Sequence, residues 1–152
     1  MIHGGDAFNV IPSTVELRGT IRTFDPIVRE MVLKRFNEVV ENVAKAMGCE
    51  TEITVKSITP AVVNDENITE RIQSIAKQVL PEAEVDMDYR TMGSEDMAFF
   101  LREVPGCFIF IGSANHQKGL NFAHHHPRFD IDEAALHHGV ALITAACLDF
   151  LQ

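Results

Sequence analysis

A chain of 152 residues, 46% hydrophobic and 23% charged, has a globular composition, with apolar side chains enough for one sizeable core or two small ones. Its formal net charge of −9, spread over scattered acidic residues, argues against a nucleic-acid partner, because phosphate binding needs a basic footprint. No apolar run reaches bilayer length, and the N-terminal Met-Ile-His-Gly-Gly lacks the basic and apolar regions of a signal peptide, so no membrane is expected. Three well-separated cysteines, Cys49, Cys107 and Cys147, two of them in apolar surroundings, read as reduced core residues and point to a cytoplasmic location.

Along the chain, Val15, Leu17, Gly19 and Ile21 alternate with Glu16, Arg18, Thr20 and Arg22, the period of a half-buried strand. Asp25-Pro26 is an N-cap followed by proline at the first helical position. A long helix is predicted from there to Met47, with Val28, Val32, Phe36, Val39 and Val43 on one face and Gly48 as its stop. Thr51, Ile53, Val55 and Ser57 alternate with polar residues and predict a second strand ending near Pro60. This strand–helix–strand unit reads as half of a two-layer α+β sandwich, since two strands alone rarely make a stable sheet.

The texture changes after Pro60. Asn64 or Asp65 can cap a helix whose stripe is Ile68, Ile72, Ile75, Ala76 and Val79. A short strand is predicted over 84–88, and Ser94 can cap a short helix carrying Met97, Phe99, Phe100 and Leu101. The continuous apolar run Cys107-Phe108-Ile109-Phe110-Ile111, closed by Gly112, suits a central strand covered on both faces. Asp130 with Glu133 forms a capping box for a last helix with Leu136, Val140, Ile143, Cys147 and Phe150 on one face. The region reads as part of an open α/β layer fold, and the chain divides into 1–61 and 62–152.

Three motifs could carry chemistry. Gly4-Gly5-Asp6-Ala7-Phe8-Asn9-Val10-Ile11-Pro12 allows a tight loop presenting Asn9; an ordinary turn before a strand explains it as well. Thr91-Met92-Gly93-Ser94-Glu95-Asp96 sets Gly93 before a helix N-terminus, where free N–H groups favour an anion such as a carboxylate; a plain capped helix is the bland alternative. His124-His125-His126-Pro127 puts three imidazoles ahead of a stiff proline. In an extended backbone His125 points opposite to its neighbours, so one side of the run can face a site. Imidazole is the commonest metal ligand, but a functional metal site needs three or four protein ligands, and no second cluster with ligand spacing occurs. His116 and the pair His137-His138 read as surface or packing residues. No Gly-x-Ser-x-Gly elbow, Lys-bearing phosphate loop or Cys-x-x-Cys pair is present.

In order, Gly-Gly-x-Ala-x-Asn-Val-Ile-Pro, Gly-Thr-Ile-Arg, Gly-Ser-Glu-Asp-Met and His-His-Pro-x-Phe-Asp-x-Asp-Glu resemble metal-dependent amidohydrolases and carboxypeptidases of the hippurate hydrolase, N-acyl-amino-acid amidohydrolase and auxin-conjugate hydrolase type. The resemblance covers essentially the whole chain. It implies the second half of a two-layer lid or dimerisation domain, followed by the C-terminal part of an open α/β catalytic domain of the zinc-exopeptidase kind. By it, His125 matches the family's last metal ligand, Asn9 and Arg22 match lid residues that bind the substrate carboxylate or reacting carbonyl, and Gly93 and Ser94 match a loop lining the substrate pocket. Glu95 lies in that loop motif without an assigned role, and Met97 stands where phenylalanine is usual.

The same resemblance implies a divalent metal (zinc, manganese or cobalt), an N-acyl amino acid or small peptide-like amide as substrate, and a homodimer formed through the lid. It places the other metal ligands and the glutamate general base upstream of the matched region. No catalytic residue is therefore assigned within the chain, Met1 is expected to be an internal or truncated start, and the piece alone is expected to be inactive. The metal-assisted chemistry expected of the complete enzyme is a lowered water pKa and a polarised scissile carbonyl. The alternative, from a different class, is a non-catalytic dimerisation or association module in which the histidine run is structural.

Overall fold

The structure, a computed structural model, describes residues 1–152. It divides into two compact units, Met1–Lys56 and Ser57–Gln152.

The first unit begins with an antiparallel ribbon of β1 (Ile2–His3) and β2 (Glu16–Leu17), in which Ile2 pairs with Leu17 and His3 with Glu16. The ribbon is extended by backbone bonding between Met1 and Arg18, the terminal amine donating to Arg18 O at 2.9 Å and Arg18 N to Met1 O at 2.9 Å. The chain between the strands folds back because of its glycines: a Cβ on Gly4 would lie 3.0 Å from Val15 Cγ2, and Gly5 has φ 73 and faces Pro12. The strand expected over 15–22 is thus paired only at 16–17, because its partner supplies two residues. The strand expected at 51–57 does not form; its alternation is that of a pleated segment, but no strand lies beside it.

The helix α1 (Pro26–Ala46) starts where the sequence says. Asp25, in an extended conformation, accepts hydrogen bonds at one carboxylate oxygen from Ile27 N (2.7 Å) and Val28 N (3.0 Å), and Pro26 needs no partner at N1. It ends in a Schellman arrangement, with Gly48 at φ 71 donating to Lys45 O and Cys49 N donating to Ala44 O. None of its residues is buried, and Val39 and Val43 are both exposed.

In the second unit α2 (Glu66–Val79) is capped by Asp65, whose carboxylate accepts from Ile68 N at 3.0 Å. It packs against α4 (Ala134–Phe150), and between them lies the core: Ile75, Ala76, Leu142 and Ala146, flanked by Ile72, Leu80, Val85, Ile109 and Ala145. Arg71 of α2 bonds the Asp149 carboxylate and donates to Asp149 O (2.6 Å), and its guanidinium lies over the Phe150 ring at 4.1 Å. These contacts place a cation on the Asp149 carbonyl at the end of α4, where the helix dipole favours it. The core face of α4 is not the expected one. Leu142 and Ala146 are buried, whereas Leu136, Val140, Ile143 and Cys147 are exposed. Because this helix is apolar nearly all round, periodicity alone could not select the face.

Three further expectations are corrected. Ser94 does not cap α3 (Met97–Glu103): the helix starts too late for its hydroxyl to reach the free amides, and Asp96 precedes it without a side-chain cap. Asp130 and Glu133 do not form a capping box, because α4 begins at Ala134 and Asp132 accepts from its first N–H instead. Residues 84–88 are not a strand; a turn at Asp86, whose carboxylate accepts from Asp88 N, occupies that stretch.

The apolar run 107–111 is extended but joins no sheet. Asn64 takes the place of a neighbouring strand at one residue: its carboxamide donates to Phe108 O and accepts from Phe108 N, both at 2.9 Å. The side chains alternate as in a strand. Ile109 packs on the α2–α4 core, and Phe108 and Phe110 meet edge-to-face with centroids 5.1 Å apart. Tyr89 adds a second edge contact to Phe110.

Candidate metal and substrate site

In the first unit, Asn9 is exposed within the turn at the tip of the loop that the glycines fold back, where Val10 N donates to Ala7 O. Arg22 is an exposed residue of the extended stretch leading into α1. The ribbon and the Gly–Gly fold thus present Asn9 on a constrained loop.

In the second unit, Gly93 and Ser94 lie on the segment before α3. A Cβ on Gly93 would make only ordinary contacts, with Thr91 and Glu95. The Ser94 hydroxyl is hydrogen-bonded to that of Thr59, which ties the segment to the start of this unit. Glu95 is half-buried and its carbonyl accepts from Ala98 N, the most enclosed residue of the molecule.

The histidine run is not extended. Its backbone makes two successive turns, with His126 N donating to Ala123 O (3.2 Å) and Phe129 N donating to His126 O (2.9 Å). Pro127 occupies the second position of the second turn, which its fixed φ suits. His125 occupies the third position of the first and has φ 66, the one non-glycine residue of the chain with positive φ. The turn, rather than strand alternation, therefore separates the three rings. His126 stacks on Phe122 (4.5 Å) and accepts from Arg128 N at Nδ1 (3.1 Å), and His124 packs edge-to-face on Phe129 (4.8 Å). His125 is exposed and makes no hydrogen bond, ion pair or ring contact.

A polar frame holds this loop. Residues 115–120 close a small antiparallel bridge, Asn115 N to Leu120 O at 2.7 Å and Leu120 N to Asn115 O at 2.9 Å, with Gly119 at φ 72. The Asp132 carboxylate accepts from Lys118 Nζ at both oxygens (2.8 and 3.0 Å), from Asn115 Nδ2 (2.6 Å) and from Ala134 N (3.2 Å). Those donors, Lys118 first and then Asn115 and Ala134, pull its pKa from 3.8 to about 2. Asp132 N donates in turn to Ser113 O. The turns bearing His125 are thus clamped between the 115–120 bridge and the start of α4. Sequence reasoning missed Asp132, Asn115 and Lys118. The one available signal was an acidic residue just before a helix, and it was read onto Asp130.

Nowhere do three His, Cys, Asp or Glu side chains come together in a group that could hold a metal ion. His125 has the chemistry of a single ligand, but the side chains of this chain do not compose a cage. The cysteines are all free, Cys107 half-buried and the other two exposed, so Cys147 is not the core residue expected. No helix is long and apolar enough to cross a membrane.

Comparison with known proteins sets these residues in context. The profile of peptidase family M20/M25/M40 matches residues 4–149. The putative amidohydrolase YhaA of Bacillus subtilis (strain 168) is 36% identical over 145 residues, which is 95% of this chain and 37% of YhaA. The N-acetyl-L-cysteine deacetylase of the same organism is 38% identical over 135 residues, 89% of this chain and 31% of the deacetylase. Among solved structures, the Bacillus subtilis YXEP protein, described as a dinuclear metal binding peptidase, superposes with a TM-score of 0.79 at 26% identity over 99% of this chain and 40% of its own. The chain therefore has the α/β fold of part of such a peptidase, and it spans 31–40% of the length of these relatives. With the profile running almost from end to end, the chain belongs to the peptidase family M20/M25/M40.

Proposed function

We propose that this chain is the C-terminal portion of a metal-dependent amidohydrolase acting on N-acyl amino acids or small peptide-like amides. In this reading His125 is one ligand of a divalent metal (zinc, manganese or cobalt). Asn9 and Arg22 bind the substrate carboxylate or carbonyl region, Arg22 being suited to two carboxylate oxygens by its planar fork, and Gly93 and Ser94 line the pocket. The observation that carries the reading is the state of the histidine run. Two of the rings are packed, His126 on Phe122 with Nδ1 accepting from the Arg128 amide and His124 edge-on to Phe129, while His125, in a left-handed conformation on a clamped turn, has neither a ring contact nor a hydrogen bond. Strained non-glycine residues that the surroundings hold in place are commonest at functional sites.

Since a catalytic ion needs three or four protein ligands, the remaining ligands and the general base come from family length outside these residues. The piece alone is inactive, and no catalytic step is assigned to its side chains. The reading is supported by the relatives, a putative amidohydrolase and a deacetylase among them. A homodimer through the first unit is supported by the apolar side chains that α1 leaves in solvent, Ile27 and Met31 included.

The test is a chimera in which this chain replaces the matching region of YhaA. With zinc, manganese or cobalt supplied, the chimera hydrolyses N-acetyl amino acids, and the 152-residue chain does not. His125→Ala in the chimera loses one tightly held metal ion together with turnover. Unchanged metal content in that variant would remove His125 from the ligand set. Turnover by the isolated chain would overturn the reading as a whole.

A further inference from the structure

We propose that Asp132 is a positioning residue for His125: with Asn115 and Lys118 it closes the base of the loop that carries the histidine run, and this closure holds residue 125 in its left-handed turn. The proposal rests on the reading of His125 as a metal ligand and deepens it.

The loop is 121–131, and Asn115 defines both of its ends. The backbone of Asn115 pairs with Leu120, N to O at 2.7 Å and O to N at 2.9 Å, and there the loop departs. The carboxamide of the same residue donates to the Asp132 carboxylate at 2.6 Å, so the loop returns to the place it left. Lys118 bonds this junction twice. Its amide donates to Asn115 Oδ1 (3.1 Å), and its ammonium donates to both Asp132 oxygens (2.8 and 3.0 Å). Asp132 N adds a bond to Ser113 O at 2.8 Å, and Asn121 meets His116 at 3.1 Å on the departing side. An excursion of this length with its ends held together is an Ω-loop, a form that frequently carries function.

Beyond those ends the loop packs only on itself. The hydrogen bonds and ring contacts of residues 122–131 all run to other residues of that stretch. The Phe122 ring takes the His126 imidazole at 4.5 Å and the Arg128 guanidinium at 4.4 Å, and His124 packs on Phe129. None of these contacts reaches the ring of His125. Its place is therefore set by the backbone, through the 123–126 and 126–129 turn bonds and the fixed ends of the loop. A left-handed non-glycine residue is strained and persists only where its surroundings over-determine it. Freed at its base, the loop would gain chain entropy and the strained residue would relax.

The rival account makes Asp132 a cap for α4 that merely lies beside the loop. The distances favour the loop. The bond from the helix, donated by Ala134 N, is 3.2 Å long, whereas those from Asn115 and Lys118 are 2.6, 2.8 and 3.0 Å. Lys118 is also the foremost cause of the lowered Asp132 pKa, ahead of Asn115 and then Ala134.

The test has two arms. In the first, NMR on this chain reads the cross-peak between the amide and Cα protons of residue 125, which is strongest when φ is positive. It should be strong in the wild type and fall to the ordinary level in Asp132→Ala, with far-UV circular dichroism showing the helices kept. Should Asp132→Ala unfold, Lys118→Met breaks the same junction from the other side and carries the test. Asp132→Asn, which keeps an acceptor oxygen for the Asn115 amide, should retain the cross-peak. In the second arm, zinc binding by the chimera with YhaA is measured in competition with a chelator. Asp132→Ala and Lys118→Met should weaken it by about tenfold or more, as loss of residues that orient a ligand does, and Asp132→Asn by less. A cross-peak that stays strong in both disrupting variants would overturn the proposal. So would zinc affinity unchanged by them in a chimera whose His125→Ala variant sheds an ion. If His125→Ala sheds none, the ligand reading fails instead, and the first arm still decides whether Asp132 holds the turn.

Discussion

Truncating Leu142 should cost far more than truncating Val140, two residues earlier on the same helix. Leu142 is 5% exposed between α2 and α4, in contact with the cluster of Ile75, Ala76 and Ala146. Leu142→Ala removes three buried carbons, which at about 0.8 kcal/mol each gives about 2.4 kcal/mol. The cavity contribution that raises such substitutions toward about 5 kcal/mol is small here, because Leu142 borders an open groove and the vacated space joins it rather than forming a sealed void. Val140 is 66% exposed, so Val140→Ala should change stability by about 0.5 kcal/mol or less. Urea unfolding followed by far-UV circular dichroism gives both values, and an unchanged m-value would confirm that the compared states are the same. A Val140→Ala cost equal to or above that of Leu142→Ala would show that α4 packs by the stripe expected from sequence, and the α2–α4 core described above would be wrong.

Three further outcomes are expected. Because the folded-state pKa of Asp132 lies below its ordinary value, its contribution is intact above about pH 4 and is lost as pH falls toward 2. Wild type should thus lose thermal stability over that window relative to Asp132→Asn, and parallel pH profiles would count against the Lys118–Asn115–Ala134 arrangement. Asp25→Ala should cost about 1 kcal/mol by orphaning the Ile27 and Val28 amides, with Asp25→Asn close to wild type; equal losses in the two variants, read by helicity, would argue against the cap. His125→Gly should be more stable than His125→Ala by about 0.5–1 kcal/mol, since glycine relieves a left-handed strain of about 1–2 kcal/mol and loses part of that gain to unfolded-chain entropy. A more stable alanine variant would mean that residue 125 is not left-handed.

The helices were legible because their signals are local. Asp25-Pro26, Gly48 and Asp65 each act within one turn of the residues they cap, so α1 and α2 begin and α1 ends where the sequence indicates. The strands were not, because the alternation at 51–57 and the continuous apolar run at 107–111 show only that a segment suits a pleat, and neither has a neighbouring strand to realise it. At the candidate site, the residue types in the histidine run were readable, but strand geometry gave the wrong account of how His125 is set apart. Two overlapping turns do that, through the 123–126 and 126–129 backbone bonds. Asp132 went unnoticed because its partners Asn115 and Lys118 are distant in sequence, and nothing local marks such a meeting.

The Asn64 carboxamide has a consequence for how the molecule behaves in a crowded solution. An apolar ribbon open along both margins can add copies of itself without limit and grow into fibres. Asn64 and Asp65 occupy the backbone groups of Phe108 and the Gly106 carbonyl on one margin, so a second ribbon cannot pair there along the full run. A single amide side chain thereby blunts an edge that would otherwise invite aggregation.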